Sequence, residues 1–436
     1  MSRFLTAFID DPSLEAYQNK GGYTGFHAAL KLTPKQVTET IKKSGLRGRG
    51  GAGFPTGLKW ETVTKGETCY IVCNADEGEP GTFKDRLLLE KSPHLILEGM
   101  LISAYANGAT QGFIYIRGEY PKEALILQNA LDEARAANLL GKRIGQSDFS
   151  FDIEIYRGGG SYVVGDETAL LNSLMGFRGN PWHKPPYPTQ SGLWDSPTVV
   201  NNVETLSCVA LVMQKGADWF VSIGTPESPG PKLFCVSGNV ERPGVYEFPM
   251  GTTLKEVLDA AGVKGALKAV QIGGTAGPVY GTRSVAPMGE TNGAHSLATS
   301  DSDNQMDVVD YKLDYAFMKQ VGGSLGSGAI IVMNQSISMV DVMDVTMRFF
   351  SEESCGKCFP CRYGTRQLEH LSQKISNGEG RAEYLDTMSK TVKTMQKASL
   401  CPFGQSVIQP LNGILAYFRP EIESYISHQK FMRGGM

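Results

Sequence analysis

Long apolar runs are absent from this chain: none approaches the roughly 18–20 residues that a membrane-crossing helix needs. Its opening residues, Met-Ser-Arg-Phe-Leu-Thr-Ala-Phe-Ile-Asp, carry neither the apolar stretch nor the cleavage pattern of a secretory signal. A surplus of one charge is missing too. Lys and Arg number 42 against 45 Asp and Glu, a net charge of −3 with the signs interspersed, which removes the basic footprint of a nucleic-acid or membrane-surface binder. Cysteine is sparse, eight in 436 residues, too few for a disulfide framework in a chain of this size. Internal repeats and low-complexity tracts are lacking as well. The expectation is a cytoplasmic protein without direct membrane insertion, long enough for two to four domains.

What cysteine there is lies concentrated. Cys355, Cys358 and Cys361 share the loop Cys355-Gly356-Lys357-Cys358-Phe359-Pro360-Cys361, and Cys401-Pro402 follows well downstream. A C-x2-C-x2-C loop presents three thiolates to one centre and a distant Cys followed by Pro supplies a fourth, the pattern of a cubane iron–sulfur cluster. Such a cluster implies electron transfer. A structural zinc is the rival reading, although zinc sites usually show two separated ligand pairs and His370 stands alone beyond the loop. Four unrelated buried thiols are the third. Cys69, Cys73, Cys208 and Cys235 sit among apolar, strand-like neighbours and read as inert buried thiols.

The pattern predicts a helix over Leu32–Lys43 that opens at Thr33-Pro34, then a glycine-rich loop to Gly57. Strands at Tyr70–Cys73, Gly112–Arg117 and Phe151–Tyr156 alternate with helices at His94–Gly108, Lys122–Leu140 and Glu167–Met175. This alternation implies a parallel sheet covered by helices. Ligands then belong at the carboxyl ends of the strands. From Lys232 to Gln335 a small mixed domain is expected, with strands at Phe234–Ser237, Val245–Phe248, Ala269–Ile272 and Ile330–Met333 and a helix at Thr253–Ala261. Within it, Gly289 to Asp310 is polar and acidic and reads as a surface excursion without its own core. Beyond Met339, apolar residues at helical spacing (Val340, Met343, Met347, Phe350) predict a helical bundle that carries the cysteine loop.

Three loops have ligand-binding chemistry. The first, Gly45 to Trp60, contains a literal G-x-G-x-x-G at Gly48, Gly50 and Gly53, but a helix precedes it and Phe54-Pro55 is expected to block immediate helix entry, which is not the dinucleotide fingerprint. Its dense glycine lets backbone N–H groups approach an anion or a flat ring, and Arg47, Arg49 and Lys59 supply positive charge. A flavin or nucleotide cradle fits; a plain flexible loop or an RGG-type segment are the alternatives. The second, Asn74 to Arg86, crowds Asp76, Glu77 and Glu79 at the end of the first strand, where carboxylates suit ribose hydroxyls and ring N–H groups. A solvated acidic turn is its bland reading. The third, Gly158 to Thr168, repeats glycine, aromatic and acid after another strand.

These loops and the four cysteines together resemble the NADH-binding flavoprotein subunit of respiratory complex I, NADH:quinone oxidoreductase, and the related diaphorase subunits of NAD-linked hydrogenases and formate dehydrogenases. The resemblance rests on the Gly45–Trp60 loop, Asn74-Ala75-Asp76-Glu77-Gly78-Glu79-Pro80-Gly81, Pro197–Thr205 (Pro-Thr-Val-Val-Asn-Asn-Val-Glu-Thr) and Glu353–Cys358, in the family's order along nearly the whole chain. It implies FMN against Gly48, Arg49, Gly50, Lys59, Asn74, Asp76, Glu77, Tyr162, Gly165, Asp166, Glu167, Asn201, Asn202 and Thr205, with Glu167 near the nicotinamide. It implies NADH held by Phe54 and Tyr187 on the adenine, Glu79 on the adenosine ribose and Lys184 near the charged portion. One 4Fe-4S cluster would sit on Cys355, Cys358, Cys361 and Cys401.

By the same resemblance the fold is α/β: an N-terminal segment (1–58), a Rossmann-like FMN/NADH domain (59–230), a ubiquitin-like β-grasp domain (231–337) and a cluster-bearing helical bundle (338–436). The implied partners are a thioredoxin-like 2Fe-2S subunit and a larger iron–sulfur subunit, which would hold the chain peripherally at the cytoplasmic side of a membrane. Thr62 stands where some members carry a second adenine-stacking aromatic, and Asp166 where Glu is usual. The alternatives are the NAD-linked subunit of a formate dehydrogenase, hydrogenase or bifurcating complex, and a non-enzymatic cluster scaffold or sensor.

Overall fold

The computed structural model describes residues 3–64, 68–285 and 305–434. Two compact units emerge: Met1–Gly78 with Thr82–Cys235 and Val245–Thr252, and Glu79–Gly81 with Val236–Gly244 and Thr253–Met436.

The first unit is built on four parallel strands, β1 (Cys69–Ala75), β2 (Ala109–Ile116), β3 (Asp152–Arg157) and β4 (Thr198–Asn202), in the order β3-β2-β1-β4. Apolar β-branched residues carry them, and Ile71, Cys73, Ile114, Ile116, Ile153 and Val199 are buried in one core. In chain order the helices used below are α1 (Pro34–Lys43), α2 (Thr56–Glu61), α3 (Lys84–Lys91), α4 (Pro93–Asn107), α5 (Pro121–Ala136), α6 (Glu167–Leu174) and α7 (Val203–Lys215). Helix α4 is apolar on every side and almost wholly buried, as a central covering helix must be. It packs on α7 so closely that a Cβ at Gly99 would lie 2.1 Å from the Leu206 carbonyl oxygen.

The chain leaves β1 toward β2 and β3 and returns on the other side of β1 as β4. That reversal opens a crevice at the carboxyl ends of β1 and β4, the place where open parallel sheets bind ligands.

The parallel sheet and its alternating helices follow the sequence expectation, with ends shifted by a few residues. Of the elements labelled above, α2, α3, β4 and α7 were not expected. Phe54-Pro55 does not hold off the helix as expected, because Pro55 itself stands at the N-cap and α2 opens at Thr56. Proline fits there, since the first turn has no intrahelical acceptor for its missing N–H.

In the second unit, α8 (Leu254–Ala261) starts from a Thr253/Glu256 capping box. Strands β5 (Leu267–Ile272), β6 (Val279–Gly281) and β7 (Ala329–Asn334) are antiparallel, with β5 in the middle. Then come α9 (Met339–Glu353), α10 (Phe359–Ser376), α11 (Ala382–Ala398), α12 (Pro402–Ser406) and α13 (Ile408–Gly434), the expected helical bundle. Of the polar excursion Gly289 to Asp310, residues 289–304 lie outside the described residues, and Gln305–Asp307 form a short strand. Among the described residues no helix is long and apolar enough to cross a membrane.

Candidate functional site

The crevice of the first unit gathers most of the residues singled out above. From the glycine loop, the Arg49 N–H donates to Thr205 Oγ1 at 2.8 Å, and a Cβ at Gly50 would lie 2.9 Å from Asn202 Cβ. Only glycine lets that backbone reach the end of β4. At the end of β1, Asn74 Nδ2 donates to the Gly165 carbonyl at 3.0 Å, and Gly78 lies against Tyr162. Trp60 on α2 donates through Nε1 to Asn201 Oδ1 at 3.1 Å. Asn202 caps α7 by accepting from Glu204 N at 3.0 Å.

Lys59, Glu167 and Lys184 form one chain of charge. Lys59 Nζ donates to Glu167 Oε2 at 2.9 Å and to the Val200 carbonyl at 3.1 Å; Lys184 Nζ meets the other carboxylate oxygen at 2.6 Å. Burial alone would raise the Glu167 carboxyl, but the two ammonium groups outweigh it and bring its pKa down to about 2. Phe54 and Tyr187, the expected adenine-facing pair, keep their rings about half exposed.

Two crevice acids have structural duties. Asp166 Oδ1 caps α6, accepting from Thr168 N at 2.9 Å and Ala169 N at 3.3 Å. Glu77 turns inward and accepts from Asp85 N and Arg86 N at 2.8 and 2.9 Å, at the start of α3. Burial and the neighbouring Asp85 carboxylate raise its pKa to about 7. Glu79 belongs to the second unit, where Oε1 accepts from Ala276 N at 2.8 Å.

A flavin fits this crevice. A Cβ placed on Gly165 would meet only the Asp76 carbonyl, at 3.9 Å, so the floor beside β1 is bare backbone open to a flat ring. Lysine charge, carboxamides and carboxylates stand around it. Sequence reasoning missed a layer of buried charge below, Lys84, Asp85, Glu204 and Lys232. Three of these lie inside the ligand-binding motifs or their flanks, but no local pattern distinguishes a buried charge from a solvated one.

In the second unit the cysteine loop links α9 to α10. Cys358 is the N-cap of α10 and Cys401 the N-cap of α12, each followed by a proline in the first turn, so two of the sulfurs stand where helix termini favour negative charge. Ser354 Oγ lies 3.3 Å from Cys361 Sγ, and Gly356 turns the loop with φ +73°. A Cβ at Gly404 would lie 3.0 Å from Cys361 Cβ, so the segment after Cys401 packs directly on the loop. Burial, with smaller contributions from the nearby Cys358, Cys401 and Cys355, pushes the Cys361 thiol up to about 12. The donor set is four cysteine sulfurs, three on this loop and one at the start of α12, which suits the four thiolates that hold an iron–sulfur cluster. The remaining four cysteines are buried, with thiols raised by burial, as inert residues should be.

Comparison with known proteins agrees with both centres. Residues 41–211 match the Nuo51 FMN-binding domain, 233–281 an SLBB domain and 341–425 the NADH-ubiquinone oxidoreductase-F iron-sulfur binding region. The chain is 41% identical over 428 residues to an NADH-quinone oxidoreductase subunit of Rhizobium meliloti (strain 1021), covering 97% of this chain and 96% of that one. It is 41% identical to the NADP-reducing hydrogenase subunit HndC of Solidesulfovibrio fructosivorans, covering 97% and 82%. The NAD+-reducing [NiFe]-hydrogenase in its H2-reduced state superposes with a TM-score of 0.82 at 35% identity, covering 98% of this chain and 67% of that one. A parallel-sheet crevice, a four-cysteine helical region and sequence identity over nearly the full length converge: the chain belongs to the family of FMN- and 4Fe-4S-binding NADH-quinone oxidoreductase subunits.

Proposed function

We propose that this chain is the electron-input subunit of a complex I-type NADH:quinone oxidoreductase, taking hydride from NADH and passing single electrons to a partner subunit. The observation that carries this reading is the presence on one chain of a glycine-floored crevice at the β1/β4 reversal and a four-sulfur centre at two helix starts. FMN, when bound, would supply the capacity to accept a hydride and to release electrons one at a time. The protein supplies geometry and charge. Gly48, Arg49 and Gly50 offer backbone to the cofactor, Asn74, Asn201, Asn202 and Thr205 offer hydrogen bonds, and Lys59 offers the cation for phosphate.

For the dinucleotide, the half-exposed rings of Phe54 and Tyr187 suit a flat base, held at small entropic cost. Lys184 suits the diphosphate portion, and Glu167, fixed between two lysines, suits the nicotinamide end. Glu79 suits the ribose hydroxyls and repels a 2′-phosphate, which gives preference for NADH over NADPH. Cys355, Cys358, Cys361 and Cys401 take the cluster. The four-part division (1–58, 59–230, 231–337, 338–436) is the domain organisation of this reading. Its partners are a thioredoxin-like 2Fe-2S subunit and a larger iron–sulfur subunit, which place the chain at the cytoplasmic side of a membrane without insertion.

Flavin release by acid, iron analysis and NADH:ferricyanide reductase assay of the purified protein test this reading together. A yellow protein without reductase activity sinks it. The second reading, a diaphorase subunit of a hydrogenase, is favoured by the 41% identity to the hydrogenase subunit. Nickel or molybdenum in the co-purified complex decides for that reading and against quinone reduction.

A further inference from the structure

Beneath Asn202 lie four charges withdrawn from water, with side chains no more than 4% exposed: Lys84, Asp85, Glu204 and Lys232. Lys84 Nζ is 2.6 Å from Asp85 Oδ1 and 3.1 Å from Glu204 Oε2, and Lys232 Nζ is 2.6 Å from that same Glu204 oxygen. The second Glu204 oxygen accepts from Leu233 N at 2.9 Å, and Lys232 also donates to the Leu233 carbonyl. Despite burial, Lys232, Lys84 and Arg49 hold the Glu204 carboxyl below its ordinary range.

Buried ion pairs of this kind are often no more stable than apolar residues of the same volume. Their connection to Asn202 suggests what they do. Asp85 Oδ2 accepts from Asn202 Nδ2 at 2.6 Å, while Asn202 Oδ1 accepts from Glu204 N at 3.0 Å and faces Lys84 Nζ at 3.4 Å. A carboxylate only accepts, and an ammonium and a backbone N–H only donate. The carboxamide therefore has one orientation, and the network dictates it.

We propose that Asp85 and Lys84 are positioning residues for the flavin, acting through Asn202: they fix its carboxamide and keep the negative charge at position 85, one side chain back from the crevice, so that reduced flavin is repelled less than it would be by a carboxylate at position 202. The proposal rests on the reading above that Asn202 borders the FMN. Reduced flavin carries more negative charge than oxidised flavin, so a carboxylate at position 202 disfavours the reduced form. A neutral amide backed by Lys84 does not.

The test exchanges the two side chains. In the Asp85→Asn/Asn202→Asp double variant every hydrogen bond can re-form: the new amide at 85 donates to the carboxylate at 202 and accepts from Lys84, and the carboxylate at 202 still caps α7. Only the position of the charge changes. FMN affinity is read by fluorescence and the midpoint potential of the bound flavin by spectroelectrochemistry on the purified holoprotein. Asn202→Asp alone sets two carboxylates in contact, and its FMN affinity is expected to fall at least tenfold. The double variant is expected to recover oxidised-FMN binding to within about threefold of the parent. It should hold reduced FMN about tenfold more weakly, a downward shift of about 30 mV for a two-electron couple. Asp85→Asn alone removes the anion and shifts the potential upward, which keeps the test alive if the double variant does not fold. A group that only stabilises the fold changes melting temperature without these opposite shifts. Unchanged potentials in Asp85→Asn, or in a folded double variant, overturn the proposal. A parent protein that binds no FMN overturns the functional reading itself.

Discussion

Glu167 shows how single side chains in the crevice are set by their neighbours. Its ordinary pKa of 4.5 is carried down to about 2 by Lys59 and Lys184 against the pull of burial, a difference on the order of 3 kcal/mol. Because the folded value lies below the unfolded one, this stabilisation is complete above about pH 4.5 and is lost as the pH falls through about 2. Lys184→Met should raise the Glu167 pKa and cost about 1–2 kcal/mol at pH 7, measured by denaturant unfolding across pH. A variant as stable as its parent throughout contradicts the assigned pairing. Glu79→Gln should raise the relative use of NADPH by removing a repulsive charge, read as the ratio of kcat/KM for the two nucleotides, and an unchanged ratio refutes that role. The candidate crevice residues were legible because their loops carry unusual residue sets: glycine runs, paired asparagines, crowded acids. Lys84, Asp85, Glu204 and Lys232 were not, because a buried charge is defined by partners distant in sequence, such as Lys232 on Glu204.

Among the elements, the parallel strands and the long helices could be read from alternation and apolar content. Strand β4 could not. Thr-Val-Val-Asn-Asn is only five residues long, and its two asparagines disfavour strand on propensity; pairing with β1 on one side overrides that. Helix α2 was misjudged because Pro55 was read as an obstacle, when at an N-cap it is compatible with helix initiation. The contact between the glycine loop and β4 yields a test at this scale. Gly50→Val places a branched side chain where even a Cβ lies 2.9 Å from Asn202 Cβ, so the loop must move and flavin content per chain should drop severalfold. Full flavin occupancy in that variant would remove the loop from the cradle. At the cysteine centre, Cys401→Ala removes the sulfur at the start of α12, the proposed fourth ligand. Flavin reduction by NADH should survive while the four-iron signal is lost, and an intact signal would assign the fourth ligand elsewhere.

For the whole molecule, the claim is that one chain holds two cofactors of different electron count, a flavin that takes electrons in pairs and a cluster that takes them singly. The measurement that bears most directly on this is absorption and EPR spectroscopy of anaerobically purified protein before and after addition of NADH. One FMN and four irons per chain are expected, with bleaching of flavin absorbance by NADH and a reduced 4Fe-4S signal that Cys401→Ala abolishes. Protein that contains neither FMN nor iron, or that carries one zinc in place of the cluster, contradicts the claim.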